Sequence, residues 1–229
     1  LQKVSCSFYD AANDKLYFGT LGHGVRVLSV NERRVDAFPN SKKADWVYAL
    51  NVDASGTLWV GSSNGVYCYG AQTGEEKNSD LAEKTNESRI YSVLDDGAGF
   101  VWIGSADGLL RYTKANGELS SYSQNDGLPS NLIFGIQQGS DGLLWLSTGN
   151  GLSRFDAKTQ TFTNFYAYDG LQDNEFRAGT AYKDRDGKLF FGGINGVTAF
   201  YPQKVSSWKQ PMSNIYFSHL SVLNQSVNY

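Results

Sequence analysis

The stretch DGLLWLSTGNGLSRFD, residues 141–156, contains the pattern that decides the fold. An apolar segment centred on Trp145 is followed by the pair Asn150-Gly151 and then by a segment of alternating polarity. An Asn-Gly pair between two such segments is a strong local signal for a β-hairpin. The stretch therefore predicts two antiparallel strands joined by a tight turn.

The same arrangement occurs five times along the 229-residue chain. When the copies are aligned on the Gly that ends each turn, these glycines are 41, 43, 43 and 45 residues apart. They are Gly24, Gly65, Gly108, Gly151 and Gly196. A period of about 40–45 residues with strand-like content predicts the four-stranded blades of a β-propeller. The five repeats lie near residues 5–40, 46–80, 90–124, 133–168 and 177–202.

Two recurring features of the repeat have a structural explanation. The residue before each turn glycine is Asn, Asp or, once, His, which predicts type I′ turns with positive φ at both central residues. An aromatic residue recurs in the second strand, where a large flat ring fills the wedge between adjacent blades. The aromatic residues are Tyr17, Trp59, Trp102, Trp145 and Phe190.

Composition excludes several classes of protein. The formal net charge is −3, no run of five or six like charges occurs, and we therefore expect no nucleic-acid partner. No apolar segment approaches the roughly 18 residues that span a bilayer. The chain begins without Met or a signal-like segment, so we expect a piece of a longer protein. Cys6 and Cys68 have no metal-type spacing and are expected to be buried.

The repeat resembles a known family. Residues 126–156, DGLPSNLIFGIQQGSDGLLWLSTGNGLSRFD, resemble the two-component regulator propeller repeat. Residues 168–205 resemble the closing repeat in sensor regions of bacterial hybrid two-component systems. Residues 214–227, NIYFSHLSVLNQSV, resemble the first strand of the immunoglobulin-like domain that follows the propeller there, which makes 203–229 a linker and that strand.

The resemblance implies a function for the parent protein. It implies a membrane-spanning, homodimeric sensor with periplasmic propellers and an immunoglobulin-like domain, followed by a histidine kinase and a response-regulator output. Such sensors detect oligosaccharides and regulate transcription of the genes that use them. The resemblance therefore implies a periplasmic ligand-recognition module without catalytic residues, metal or cofactor in this chain.

The number of blades leaves two alternatives. Propellers of this family usually have seven blades, whereas five repeats occur here, and the last has three strands ending near Tyr201. We expect the chain to be the carboxyl-terminal part of a seven-bladed propeller, because such rings close by pairing strands from both ends. The alternative is a five-bladed ring closed by a tail strand over residues 215–223.

Enzymatic functions are a weaker interpretation. The segment DASGTLW, residues 53–59, faintly resembles the Asp-box of sialidases, but that box is itself a structural turn. A lyase that opens streptogramin-type lactones has similar repeats and needs metal and His. Here only His23 and His219 occur, and neither has a metal-type partner nearby in the sequence. A purely structural or dimerisation role is the other alternative.

A ligand is expected on the face that carries the Asn-Gly-type turns and the blade-to-blade connections. These connections are 39–46, 80–89, 126–131 and 169–177, and they contain the aromatic, amide, carboxylate and guanidinium groups that suit a sugar. The candidate residues are Trp46, Arg89, Asn131, Asn174, Glu175 and Arg177. The alternatives are that both Asn residues stabilise turns, that Trp46 is core, and that both Arg residues pair with local acids.

Overall fold

Each repeat forms one antiparallel sheet. The computed structural model of the chain describes residues 3–206, 221–222 and 225–226. Blade 1 consists of strands β1 (Val4–Asp10), β2 (Lys15–Thr20), β3 (Val25–Ser29) and β4 (Arg34–Ala37). Blade 2 consists of β5 (Val47–Val52), β6 (Thr57–Ser62) and β7 (Gly65–Gly70), followed by helix α1 (Ser79–Thr85).

The remaining blades follow the same order from the innermost strand outward. Blade 3 consists of β8 (Ile90–Asp95), β9 (Phe100–Ser105), β10 (Leu109–Thr113) and β11 (Leu119–Tyr122). Blade 4 consists of β12 (Ile133–Gln138), β13 (Leu144–Thr148), β14 (Gly151–Asp156) and β15 (Thr161–Phe165). Blade 5 consists of β16 (Phe176–Lys183), β17 (Leu189–Gly193) and β18 (Gly196–Phe200), followed by helix α2 (Pro202–Ser206).

A short pair of strands lies beyond blade 5. Strands β19 (Ser221–Val222) and β20 (Gln225–Ser226) pair with each other. Most of the segment predicted to open an immunoglobulin-like domain, 214–227, lies outside the described residues, as does most of the predicted tail strand 215–223. The prediction of five propeller-like sheets is confirmed.

The prediction of a four-stranded blade is wrong for blade 2. Its third strand is followed by an isolated bridge between Tyr69 and Glu76 and then by α1, so the connection 80–89, expected to be a loop, begins with a helix. Asn78 caps the helix by accepting a hydrogen bond from the backbone N–H of Leu81 at 3.2 Å. The helix places Leu81 in the apolar core between blades 2 and 3, and burial of this side chain stabilises the helix.

The outer strand of blade 4 is also shorter than predicted. Strand β15 ends at Phe165, whereas the alternating pattern predicted a strand through Tyr168. A 3-10 turn over Ala167–Asp169 replaces its end, because the Asp169 carboxylate accepts a hydrogen bond from the backbone N–H of Tyr166 at 2.9 Å. Local capping by this carboxylate ends the strand.

The recurring turn is a different type from the one predicted. Only the glycine has positive φ, +101° at Gly151 for example, and the residue before it does not. Gly151 pairs directly with Thr148, so the turn residues are Gly149 and Asn150. The Thr148 hydroxyl accepts from the Asn150 N–H at 3.0 Å and donates to the Gly151 carbonyl at 2.8 Å. A buried hydroxyl therefore fixes the turn, and type I′ geometry is not needed.

The same hydroxyl occurs in three other blades. The side-chain hydroxyl donates to the carbonyl of the following turn glycine in Thr20, Ser62 and Ser105, at 2.7, 2.9 and 2.8 Å. All three side chains are buried. The fifth blade has Gly193 at this position and lacks the bond.

The core lies between the blades. Four apolar clusters join consecutive blades, and Tyr17, Trp59, Trp102 and Trp145 each belong to a different one, in chain order. This placement confirms the predicted role of the recurring aromatic as the filler of the wedge. The fifth copy, Phe190, belongs to none of the four clusters and is only partly buried.

The two ends of the row of blades expose apolar side chains. In blade 1, Val4 and Val35 are 59% and 58% exposed, and in blade 5 Val197 is 62% exposed. No apolar cluster joins blade 5 to blade 1 within the described part of the chain. The described blades therefore form an open arc whose two end faces lack an apolar partner.

Two turn glycines provide a matched test of the turn. A Cβ on Gly151 would lie 2.5 Å from the Phe165 carbonyl oxygen, whereas a Cβ on Gly196 would meet nothing within 4 Å. Both have positive φ, which costs a non-glycine residue about 1–2 kcal/mol. We expect Gly151→Ala to lower the free energy of unfolding by clearly more than Gly196→Ala, as measured by urea denaturation. Equal losses would contradict the close packing described here.

Candidate ligand-binding face

One face of the arc brings the recurring turns and the blade-to-blade connections together. The Asn64 amide donates to the Lys43 carbonyl at 3.1 Å, and the Asn195 amide donates to the Asp173 carboxylate at 2.6 Å. The Ser88 hydroxyl donates in the same way to the turn residue Asp107, at 2.7 Å. We call this side of the arc the turn face. In blades 2, 3 and 5 the turn Asn or Asp side chain ties the turn to a connection, which is a structural role as expected, although by another mechanism.

Asn131 and Asn174 occupy equivalent positions on the turn face and have the same bond. The Asn131 side-chain oxygen accepts from the backbone N–H of Gln124 at 2.8 Å. The Asn174 oxygen accepts from the backbone N–H of Ala167, also seven residues earlier, at 2.7 Å. Each amide oxygen therefore closes its own connection, which agrees with the turn-stabilising alternative.

Trp46 lies at the end of the first connection. Its backbone bridges to Leu21 and accepts a hydrogen bond from the N–H of Ser63 at 2.8 Å. The residue is 47% exposed, so the alternative that it belongs to the core is wrong. Its ring is available to a ligand on the turn face.

Arg89 ends the second connection and contacts aromatic residues. Its guanidinium carbon lies 5.9 Å from the centre of the Tyr48 ring. A hydrogen bond to the Tyr91 side chain is the main cause that raises the pKa of Arg89. Among the described residues the guanidinium contacts no carboxylate, contrary to the alternative that it pairs with a local acid.

Glu175 and Arg177 lie in the fourth connection and form an ion pair with each other. The distance between the Arg177 guanidinium and the Glu175 carboxylate is 3.4 Å, and the side chains are 62% and 48% exposed. Such an exposed pair contributes little to stability, so both groups can exchange partners readily. For Arg177 the local-acid alternative is therefore correct.

The six candidates are spread along the turn face and do not form one pocket. They belong to four successive connections, and the ion pair between Glu175 and Arg177 is their one direct side-chain contact within the described residues. Their role in ligand binding stays a prediction.

Sequence reasoning missed a row of aromatic residues beside these candidates. Tyr48, Tyr91 and Phe134, here called the aromatic arc, are 43 residues apart and are each the second residue of an inner strand. The Tyr48 and Tyr91 ring centres are 5.9 Å apart, and those of Tyr91 and Phe134 are 5.3 Å apart. The regular spacing would have identified these residues, but Val and Ile beside them suggested an ordinary buried strand.

A β-bulge places each member of the aromatic arc. The pairing of β5 with β6 shifts between Val47 and Ala49, and β8 and β12 show the same shift around Tyr91 and Phe134. A bulge leaves one residue out of the ladder and redirects its side chain. All three aromatic side chains are only partly buried as a result.

The aromatic arc borders the central cavity. This cavity of about 720 Å³ is lined by all five inner strands, β1, β5, β8, β12 and β16. Its wall includes Tyr48, Tyr91 and Phe134. Because these residues begin their strands, they lie at the mouth of the cavity on the turn face.

The opposite face carries a buried ion-pair network between blades 2 and 3. The Asp53 carboxylate, with a side chain 1% exposed, lies 2.8 Å from the Lys114 ammonium, which is also 2.9 Å from Asp95. The Trp59 indole N–H donates to Asp53 at 3.0 Å, and the Trp102 indole donates to Asp96 at 3.1 Å. The Asp-box-like segment is therefore a structural turn, as expected.

The hydrogen bonds around Asp53 control its ionisation. Burial by itself would raise the pKa of this carboxyl. Hydrogen bonds from Lys114, Ser55, Thr57 and Trp59 outweigh burial and hold the pKa well below its ordinary value. A lowered carboxyl pKa stabilises the fold above the unfolded-state pKa of about 3.9, and this contribution is lost as the pH falls through the folded-state pKa.

This network predicts a specific effect of acid. We expect Asp53→Asn to lower the free energy of unfolding at pH 7 by about 2 kcal/mol, because the half-buried Lys114 ammonium loses one of its two carboxylate partners. We also expect the variant to lose less stability than the wild type between pH 4 and pH 2. The exposed residue Asp36 is the control, since Asp36→Asn should change stability by under about 0.5 kcal/mol. Parallel pH curves for Asp53→Asn and wild type in urea denaturation would contradict this assignment.

Metal ligands, reactive thiols and membrane-spanning helices were also sought among the described residues. No group of three or more His, Cys, Asp or Glu side chains is placed to hold a metal ion within the described residues. Cys68 is buried and Cys6 half-buried, and burial raises the pKa of each thiol to about 11. None of the described helices is long and apolar enough to cross a bilayer. His219 lies outside the described residues.

The central repeat matches a known family. Residues 127–150 match the family model described as two component regulator propeller, which confirms the recognition of this repeat. No curated protein sequence matches the chain.

Solved structures with the same fold include extracellular domains. One, from B. thetaiotaomicron, is described as the extracellular domain of a putative hybrid two component system. It is 22% identical to this chain, with a TM-score of 0.77, and the match covers 100% of this chain and 33% of that domain. A second domain from that organism, described in the same way, is 18% identical, with a TM-score of 0.73, over 88% of this chain and 27% of its own. The chain thus spans a third or less of either domain.

An enzyme shares the fold as well. Virginiamycin B lyase from Staphylococcus aureus is 17% identical, with a TM-score of 0.64, over 86% of this chain and 69% of its own. At these identities the likeness is one of fold. The chain is therefore a propeller-like protein with a two-component regulator repeat, similar in fold to extracellular domains of hybrid two-component systems.

Proposed function

We propose that this chain is part of the ligand-recognition region of an extracytoplasmic sensor in a hybrid two-component system. The observation that carries the proposal is the combination of the matched repeat at residues 127–150 with a fold similar, over the whole chain, to such an extracellular domain. The kinase and the regulatory output belong to the parent protein. The periplasmic location is part of the same proposal.

The proposed ligand is an oligosaccharide bound on the turn face. Trp46 and the aromatic arc offer exposed ring surface, and Arg89, Glu175 and Arg177 offer groups that bond hydroxyls or carboxylates. Ligand would shift the population of two arrangements of the propellers and the following domain in a dimeric parent. Neighbouring propeller and immunoglobulin-like domains of the same chain are the proposed partners.

The proposal includes a seven-bladed ring. The support is the open arc of the described residues, in which no neighbouring blade covers Phe190 and Val197 of blade 5 or Val4 of blade 1. Two further blades would bury both end faces and pair the outer edge of β18, which has no partner strand among the described residues.

This part of the proposal predicts the behaviour of the isolated chain. We expect residues 1–229 expressed alone to bind a hydrophobic dye such as ANS and to self-associate with rising concentration, because both end faces are apolar and exposed. A version extended by the preceding two blades should do neither in analytical ultracentrifugation. If the short chain is monomeric and binds no dye, the end faces are already closed and the seven-bladed proposal is wrong.

The sensing proposal predicts binding without turnover. Isothermal titration of the parent extracellular region with a panel of oligosaccharides should give saturable binding, and chromatography of the mixture should show no new product. The triple replacement of Trp46, Arg89 and Arg177 by Ala should abolish most of the affinity, whereas the exposed control Arg185→Ala on the opposite face should leave it unchanged. Product formation would instead support a lyase or glycosidase.

A structural or dimerisation platform is the second candidate. It is favoured by the amide oxygens of Asn131 and Asn174, which close their own connections. The same titration separates the two candidates, since a platform would bind no member of the panel while remaining folded.

A further inference from the structure

The geometry points to a binding site for a carboxylate-bearing, uronate-type sugar at the mouth of the central cavity, formed by Tyr48, Tyr91, Phe134 and Arg89. This inference rests on the proposed function, and it assigns the chemical class of the ligand and the residues that hold it. Three of the four residues, the members of the aromatic arc, were not among the sequence-based candidates.

The first support is the placement of the aromatic arc. Bulges at the same position of β5, β8 and β12 direct three aromatic side chains to one rim. In a regular strand these residues would pair within the ladder. The bulge removes that pairing and redirects each ring. Each ring is partly buried and so presents an exposed part above a cavity of about 720 Å³.

The second support is the contrast between two members of the aromatic arc, Tyr48 and Tyr91, and the inter-blade aromatics. The third member, Phe134, packs against the apolar cluster between blades 4 and 5. Trp102 and Trp145 are 1% and 0% exposed and lie inside apolar clusters. Tyr48 and Tyr91 belong to none of the four clusters and contact each other at the cavity rim. Their rings therefore fill no described wedge, and they offer the flat surface on which the apolar face of a pyranose can rest.

The third support is the charge at the rim. Arg89 is exposed, and its guanidinium lies over Tyr48 without a carboxylate contact among the described residues. The two Tyr side chains hold the guanidinium beside the rings, and the N–H donors that are not bonded to Tyr91 can bind an incoming carboxylate. A sugar that stacks on the rings would bring a carboxylate on its ring carbon to this guanidinium.

At blades 1 and 5 the equivalent positions of the rim hold no aromatic side chain. Ser5, the bulge residue of β1, donates its hydroxyl to the Val47 carbonyl, and residues 177–180 of β16 form a longer irregular segment beginning with Arg177. Arg177 is already paired with Glu175. The stacking surface is therefore limited to blades 2, 3 and 4, which suits a short segment of two or three sugar rings.

The test compares charged and neutral sugars on the parent extracellular region. The probes are oligosaccharides of galacturonate, glucuronate and mannuronate, the methyl esters of the same compounds, and neutral oligosaccharides of glucose, xylose and mannose. We expect one uronate series to bind and its methyl ester to bind about ten- to a hundredfold more weakly, because esterification removes a charge-assisted hydrogen bond. Isothermal titration measures both affinities.

Matched variants test whether Arg89 and Tyr91 cause the preference for the uronate over its methyl ester. Arg89→Gln should weaken binding of the uronate about ten- to a hundredfold and leave the affinity for its methyl ester nearly unchanged. Tyr91→Ala should weaken both compounds, while Tyr91→Phe should preserve binding of the ester. Arg185→Gln, which removes an exposed charge on the opposite face, is the control, and thermal melts confirm that each variant is folded.

The outcomes separate the inference from the proposed function. If the wild type binds only neutral sugars, or if Arg89→Gln leaves uronate affinity unchanged, the inference is wrong and the proposed sensing function stands. If the folded wild type binds no saccharide of the panel, both are wrong. If the ester and the acid bind equally, Arg89 does not select the ligand and the uronate assignment is overturned.

Discussion

The burial of one large aromatic ring between each pair of blades is the interaction on which the rest of the structure depends. A single twisted sheet of this kind has two apolar faces, and it becomes stable only when neighbours cover both. Tyr17, Trp59, Trp102 and Trp145 provide that cover in the four described interfaces. Among the described residues, Phe190 stands at the equivalent place without a neighbouring blade, which supports the proposed continuation of the ring at this end.

The inter-blade constraint also supports placing the proposed function on the turn face. Aromatic wedges and the Asp53–Lys114 network hold the blades at fixed angles, and the buried Ser and Thr hydroxyls fix the turns. Because these positions have structural roles, variation is left to the connections and to the first residues of the inner strands. The turn face therefore combines a rigid frame with side chains that have few internal partners, such as Trp46 and Arg89.

The sequence predicted those parts of the fold that repeat. The period near 43 residues, the five sheets and the role of the recurring aromatic followed from patterns that every copy shares. Individual side-chain hydrogen bonds determined the parts of the fold that the sequence did not predict. Asn78 caps a helix where the repeat suggested an outer strand, and the Thr148 hydroxyl stabilises a turn in which Gly alone takes positive φ. Both outcomes depend on one side-chain hydrogen bond, which a pattern of hydrophobicity does not register.

The candidate site was predicted with less success, because its geometry depends on bulges and on contacts between distant residues. Tyr48 and Tyr91 have the sequence pattern of ordinary strand residues, and their separation from the ladder becomes visible only in the pairing register. The face was identified from topology, since connections and turns must share one side of a propeller. Which of its residues are free and which close their own loops, as Asn131 and Asn174 do, required the three-dimensional contacts.

Hydrogen–deuterium exchange of the parent extracellular region, with and without a saturating oligosaccharide identified by titration, tests the central claim most directly. The account predicts slower exchange at the ends of the connections and at the start of the inner strands, around residues 46–48, 89–91 and 131–134. It predicts no change at the opposite turns, around residues 53–57 and 96–100. Protection confined to the opposite turns, or to domains outside this chain, would contradict the assignment of ligand recognition to the turn face.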